Sequence, residues 1–169
     1  AVAFEEHSRD FAERVRVMSK NSVALYSFLK THPTIERVYH SMNDTRGVYD
    51  YFLKPGGRQC SILSFVLKDK TKTPKFYDSL EFCKGPSVGT NFTLVCPFTM
   101  MAHYDELSWA ESCGVDRSLI RVSCGLEPEE VIIERISNIV IKKSSYMVLK
   151  QIPQVLNNNL WSACIDIFK

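Results

Sequence analysis

The sequence predicts an α+β domain: a four-stranded, mostly antiparallel sheet with helices mainly on one face, preceded by a long helix. Three observations lead there. From Leu119 to Glu127 the residues alternate, Ile120, Val122 and Cys124 against Leu119, Arg121 and Ser123, as in a strand buried on one face. Ser61 to Leu67 is almost continuously apolar, as in a strand inside a sheet. Apolar stripes at spacings of three and four interleave with such runs, so helices and strands alternate along the chain and one sheet face can be covered.

Taken in order, Phe11, Val15, Met18, Leu25 and Leu29 define one face of a helix from about Ser8 to Lys30, interrupted by Ser22. Ser8 is its candidate N-cap, and His32-Pro33 stops it because the residue before proline is driven out of the α region. A helix this long at the start of the chain either packs on its own domain or joins that domain to another. Ile35 to Tyr39 reads as the first strand. Asn43 to Gly57, broken by Gly47, Pro55, Gly56 and Gly57, reads mostly as loop. Ser61 to Leu67 is the second strand and should lie deepest. Thr73 and Pro74 are expected as N-cap and first residue of a helix whose stripe is Phe76, Tyr77, Leu80 and Cys83, ended by Gly85-Pro86. A turn-rich segment, Gly85 to Asn91, leads into a third strand, Phe92 to Cys96, stopped by Pro97. Phe98 to His103 is expected as an apolar loop, filling the core or lying over a ligand. Asp105 and Glu106 suit the first turn of a helix carrying Leu107, Trp109 and Ala110 and ending at Gly114. After the Arg121 strand, Pro128, Glu129 and Glu130 open a last helix with an apolar face of Ile132, Ile133, Ile136, Ile139 and Val140. From Ile141 onward no clean period remains.

The expected organisation is therefore a helical segment over 1–31, a domain over 32–140 and a divergent tail over 141–169. The 169 residues suffice for one domain with a buried core. With 21 basic and 19 acidic residues, a net charge of +2 and no polybasic run, a nucleic-acid partner is not expected. No apolar run is long enough to span a bilayer and no signal pattern opens the chain, so a cytoplasmic protein is expected. The six cysteines form no C-x-x-C pair and the four histidines do not cluster with them. Free thiols and no metal site are the expectation.

Two features carry candidate chemistry. Arg121 sits on the less apolar row of its strand, where a guanidinium fork either takes part in a structural ion pair or faces water, or recognises a carboxylate or phosphate bidentately. The Gly85–Asn91 turn, with Ser87, Thr90 and Asn91, offers backbone N–H groups and hydroxyls to an anion, although most such turns are only turns.

Three segments, Lys84-Gly-Pro-Ser-Val-Gly-Thr-Asn-Phe-Thr-Leu94, His103-Tyr-Asp-Glu-Leu107 and Leu119-Ile-Arg-Val-Ser-Cys-Gly-Leu-Glu127, occur in this order and at these separations. Together they resemble the C-terminal domain of the pyridoxal-phosphate-dependent transsulfuration enzymes, cystathionine γ-synthase-like proteins most of all. Ser8-Arg-Asp-Phe-Ala-Glu-Arg14 and His32-Pro-Thr-Ile-Glu-Arg-Val-Tyr39 are similar to that family's interdomain helix and first small-domain strand. The resemblance spans roughly Phe4 to Val140.

The resemblance implies the small domain of a fold-type I pyridoxal phosphate enzyme, preceded by its interdomain helix. It gives Arg121 the part of gripping the substrate α-carboxylate, and Ser87 that of positioning the reacting group. It implies pyridoxal 5'-phosphate as cofactor of the whole enzyme, an amino-acid substrate derived from homoserine or cysteine, and a homotetramer. In the family the Schiff-base lysine and the other cofactor contacts belong to a large N-terminal domain that is not in this chain. The expectation is thus no catalytic or cofactor-binding residue here, and a chain inactive by itself. Where many relatives carry a glutamate after the motif serine, this chain has Phe92, which leaves side-chain specificity open. The rival reading is a non-catalytic α+β module that binds an amino acid or a protein partner.

Overall fold

The computed structural model describes residues 2–43 and 47–145. Its elements in chain order are α1 (Val2–Ser8), α2 (Phe11–Thr31), β1 (Ile35–Tyr39), α3 (Val48–Phe52), β2 (Ile62–Leu67), α4 (Thr73–Ser79), β3 (Cys83–Lys84), β4 (Leu94–Pro97), α5 (Phe98–Ala102), α6 (Leu107–Ser112), β5 (Ile120–Ser123) and α7 (Glu129–Ser145). Short 3-10 turns precede α4 and α6.

The α+β class holds, but the sheet has five strands rather than four and is mixed, in the order β1-β2-β5-β4-β3. The pairs β1/β2, β2/β5 and β5/β4 are antiparallel, whereas β3 runs parallel to β4. The expected helix over Thr73 to Cys83 explains the missing strand. That helix ends at Ser79, Leu80 turns extended, and Cys83–Lys84 pairs with Leu94 and Val95 instead. The Lys84 ammonium reaches back to the carbonyls of Tyr77 (2.9 Å) and Leu80 (2.6 Å), closing the helix C-terminus. β2 is interior as expected, but the middle position belongs to β5, so Arg121 stands on the centre strand.

One sheet face is apolar throughout. Val38, Leu63, Phe65, Ile120, Val122 and Val95 share it by register and are all buried in one cluster. Leu25, Tyr26 and Leu29 of α2, Phe76 and Tyr77 of α4, and Ile132 and Ile136 of α7 pack onto that face. A register shift between Ile35 and Arg37 lets Ile35 and Val38 both reach the core although three residues apart.

The expected Ser8–Lys30 helix is two helices. Ser8 Oγ donates to Glu5 O (2.8 Å), ending α1 rather than capping α2, which starts after Asp10 and runs to Thr31. Phe11 lies 62 % exposed, outside the stripe that Met18, Leu25 and Leu29 bury. Two further elements replace expected loops: α3 within Asn43–Gly57, and α5 over Phe98–Ala102. In α6 only Ala110 is buried, and Trp109 faces outward. α7 extends beyond the expected Val140 to Ser145. The rest of the expected tail, 146–169, lies outside the described residues, as does Cys164. Among the described cysteines, Cys96 and Cys124 are buried thiols, Cys60 is half-buried, and Cys83 and Cys113 are exposed. Among the described residues no helix is long and apolar enough to cross a membrane.

Thr73 begins α4, but its hydroxyl caps nothing: Oγ1 is buried with no hydrogen-bond partner. A buried hydroxyl that left water without regaining a bond costs stability. Thr73→Val keeps the shape and should stabilise the fold by roughly 1 kcal/mol in urea denaturation.

His40 joins α2 to the β1–β2 connection. Its Nε2 lies 2.9 Å from Cys60 O and its Nδ1 accepts from Met42 N (3.3 Å), while the ring stacks on Tyr26 with centroids 5.2 Å apart. Ser22, the polar break in the α2 stripe, is fully buried and donates to Cys60 O (2.6 Å) at the same place. Burial pushes the His40 imidazole below its ordinary 6.5, against a smaller opposite pull from the Cys60 carbonyl. The folded state therefore prefers the neutral ring. Its contribution is complete above pH 6.5 and is lost as pH falls towards the lowered folded value. His40→Gln should flatten the fall in stability between pH 7 and pH 5, and an unchanged slope in the variant would refute this assignment.

Candidate functional site

Register places Tyr39, Ser64, Arg121 and Cys96 in one row across β1, β2, β5 and β4, on the face opposite the main core. Arg121 is half-buried there. Its Nη2 donates to Pro86 O, and its Cζ lies 5.1 Å from the centroid of the Phe98 ring. Among the described residues no carboxylate pairs with it. The structural ion pair that the sequence left open is thus not formed by the described residues, and most of the fork's N–H groups have no described acceptor.

The Pro86 contact brings in the second sequence candidate. Ser87 follows Pro86 directly in the turn and is exposed, so its backbone adjoins the carbonyl that Arg121 bonds. Gly89 holds that turn with φ 74°, a left-handed conformation suited to glycine, and its N–H donates to Ser123 Oγ (3.2 Å) on the same β5 row as Arg121. Gly85 N–H donates to Val95 O (3.1 Å). Two of the turn's N–H groups are therefore already bonded. Fewer of its N–H groups are thus free to receive an anion. Val88 and Phe92, both about half exposed, flank it.

Underneath lies a polar lock. Thr93 N and Oγ1 donate to the Glu127 carboxylate (2.7 and 2.8 Å), and Gly125 N donates to Thr93 Oγ1 (3.0 Å). Asn21 Nδ2 from α2 donates to Gly125 O (2.9 Å) and Glu127 O (2.7 Å). α2, the entry to β4 and the exit of β5 are thereby tied together just behind the site. Buried groups whose bonds are all satisfied fix geometry more firmly than apolar packing alone.

Sequence reading nominates Arg121 and Ser87 and does not single out Pro86, Phe98, Asn21 or Glu127, which the structure places around them. Asn21 had a legible signal, a polar residue beside the break in the α2 stripe. Phe98 fell in a segment for which a position over a ligand had been one of two readings. His103, in the second motif segment, contacts the Phe98 ring at 6.2 Å and places Nδ1 2.7 Å from Glu106 Oε1.

Other titratable groups are poorer candidates. A groove of about 310 Å³ towards the β1 side is lined by Glu36, Arg37, Tyr39, Lys70, Glu111 and Asp116 among others. Its Lys70 is spent on Asp116 (2.5 Å), and three carboxylates there disfavour an anion. Burial pushes the Asp116 carboxyl up, yet Lys70 and the Ser118 N–H hold it below the usual carboxylate range. The Cys124 thiol is pushed up to about 12 by burial, then by Glu127 and Cys60, so it is no nucleophile near neutrality. Among the described residues no cluster of His, Cys, Asp and Glu could hold a metal ion.

Residues 9–139 match the family described as Cys/Met metabolism PLP-dependent enzymes. Cystathionine γ-synthase of Neurospora crassa is 44 % identical over 133 residues, covering 78 % of this chain and 21 % of that protein. A cystathionine γ-synthase-like protein of Aspergillus thermomutatus is 35 % identical over 138 residues, covering 81 % and 24 %. The chain thus spans about a fifth to a quarter of the length of these curated relatives. In fold it is similar to the crystal structure of cystathionine γ-synthase from Xanthomonas oryzae pv. oryzae in complex with cystathionine, with TM-score 0.70 and 22 % identity over 81 % of this chain and 36 % of that one.

Proposed function

The chain belongs to the Cys/Met metabolism family of pyridoxal-phosphate-dependent enzymes, and from this we propose that it is the substrate-binding C-terminal portion of a cystathionine γ-synthase-like enzyme. In this reading the complete enzyme carries out substitution or elimination on a homoserine- or cysteine-derived amino acid. Arg121 grips the substrate α-carboxylate and Ser87 positions the reacting group. The observation that carries the proposal is a half-buried guanidinium on the centre strand, held in orientation by Pro86 and Phe98 but paired with no described carboxylate. A bidentate grip there would fix the amino acid in one orientation.

In this reading no described residue is assigned to holding the cofactor. Lys84, the lysine nearest the turn in sequence, is committed to two backbone carbonyls and lies over the Tyr77 ring. Lys20, Lys70 and Lys72 are engaged by Glu129, Asp116 and Asp69. The cofactor supplies the electron sink for chemistry at the substrate carbon, and in this reading its lysine and phosphate site come from a large domain outside these residues. In this reading the 169 residues alone are inactive, and a homotetramer is the assembly of the complete enzyme. Val2 and Phe4 on α1 and Phe11 at the start of α2 are exposed large apolar side chains, available for contact with that larger body.

The test is a hybrid in which residues 9–139 replace the matching segment of the Neurospora crassa enzyme. A folded hybrid that binds pyridoxal phosphate and turns over an activated homoserine supports the proposal. A hybrid that is folded and cofactor-loaded but binds no amino acid would favour the non-catalytic module instead.

A further inference from the structure

The Arg121 guanidinium meets two kinds of neighbour, and their chemistry differs from that of a counter-ion. Pro86 O takes one Nη2 hydrogen, the Phe98 ring lies against the guanidinium carbon at 5.1 Å, and no described carboxylate is present. An acidic partner would orient the fork but also neutralise it, and an incoming carboxylate would have to displace it. A carbonyl oxygen and an aromatic face attract the cation while leaving its net charge intact.

Phe98 is itself held on several sides. It begins α5 directly after Pro97, and its N–H donates to Leu119 O (3.0 Å), two residues before Arg121. Thr99, fully buried, donates from Oγ1 to Asp116 O (2.7 Å), pinning the first turn of α5. The ring edge packs on His103 at an interplanar angle of 74°, and His103 is in turn held by Glu106. Nothing in the polar lock behind the sheet requires an aromatic group at this position. The ring meets His103 in a tilted, edge-type contact and carries the guanidinium over its face.

Resting on the reading of Arg121 as the carboxylate clamp, we propose that Phe98 is a positioning residue whose π face pre-orients the Arg121 fork for the substrate carboxylate without neutralising it. Phe98 touches no reacting atom. Its effect runs entirely through Arg121, so it should appear in substrate capture rather than in the chemical step.

The experiment places phenylalanine bearing one, two and three ring fluorines at position 98 of the hybrid enzyme, a series that keeps ring shape while draining the π face. The expected result is a progressive rise in KM, reaching about 3- to 30-fold for the trifluoro ring, with kcat nearly constant and the melting temperature unmoved. Phe98→Tyr should retain wild-type KM and Phe98→Leu should resemble the trifluoro ring. A flat series, or a series in which KM and melting temperature change together, overturns the proposal. An NMR measurement on the 169-residue chain gives a readout without turnover. The Arg121 side-chain Nε–H proton should be shifted upfield by the ring and should lose that shift in Phe98→Leu, and no loss counts against the contact. Arg121→Ala separates the two readings. If it leaves KM unchanged, the clamp reading fails whatever Phe98 does. If it cripples capture while the fluorine series stays flat, only the positioning inference fails.

Discussion

Arg121→Ala in the hybrid enzyme is expected to lower kcat/KM by about 100- to 10,000-fold while leaving the fold and cofactor loading intact. The magnitude follows from two charge-assisted hydrogen bonds to one carboxylate, each about 1.5–3 kcal/mol, lost together. Loss of fold is not expected, because Arg121 is half-buried on the face away from the main core and no described carboxylate would be stranded by its removal. Arg121→Lys should recover only part of the loss, since an ammonium is a point charge that cannot match both carboxylate oxygens. An amine analogue of the substrate without its α-carboxylate should react equally slowly in the wild type and in both variants. Near wild-type kcat/KM in both Arg121→Ala and Arg121→Lys would remove Arg121 from the site.

Legibility in the sequence followed the range of the forces involved. The face of Arg121 was readable because β alternation is local: Ile120 and Val122 are fully buried and Arg121 points the other way. The end of α2 was readable for the same reason, since His32-Pro33 acts on neighbouring dihedrals. Short elements were not. β3 is two residues long and exists because β4 lies alongside it, and α3 and α5 have five residues each, too few for an apolar period to register. The supports of the site were hidden by distance along the chain. Pro86 lies 35 residues from Arg121, and Asn21 lies 106 from Glu127. No local pattern announces such pairs. The likeness of three short segments to a known family brought Ser87 and Arg121 together before any geometry did, but it contained no indication that Phe98 faces the guanidinium.

Gly125→Ala should be the most damaging small substitution in the described domain, costing about 3 kcal/mol or leaving the chain unfolded. A Cβ at Gly125 would stand 2.4 Å from Phe92 C and 2.5 Å from Phe92 Cα, with Glu127 Oε2 at 2.6 Å. The obstructing atoms are chiefly backbone, so no rotamer change relieves them. Retreat is blocked on both sides. Gly125 N is bonded to Thr93 Oγ1, Gly125 O accepts from Asn21 Nδ2, and the next residue, Leu126, donates to Asn91 O (2.9 Å). Either these bonds break, leaving buried polar groups unpaired, or the segment from Asn91 to Thr93 is pushed away. That segment leads out of the turn whose Pro86 carbonyl Arg121 bonds, so whatever folded protein survives should also lose substrate capture. Gly85→Ala is the matched control. Its Cβ would meet only Leu94 Cδ2 at an ordinary 3.7 Å, and its cost should stay within about 1 kcal/mol. Because the clash is with the main chain, Phe92→Ala should not rescue Gly125→Ala. Urea denaturation of the four variants decides the matter: rescue by Phe92→Ala, or equal costs for Gly125→Ala and Gly85→Ala, would show that the close approach at Gly125 does not constrain the fold.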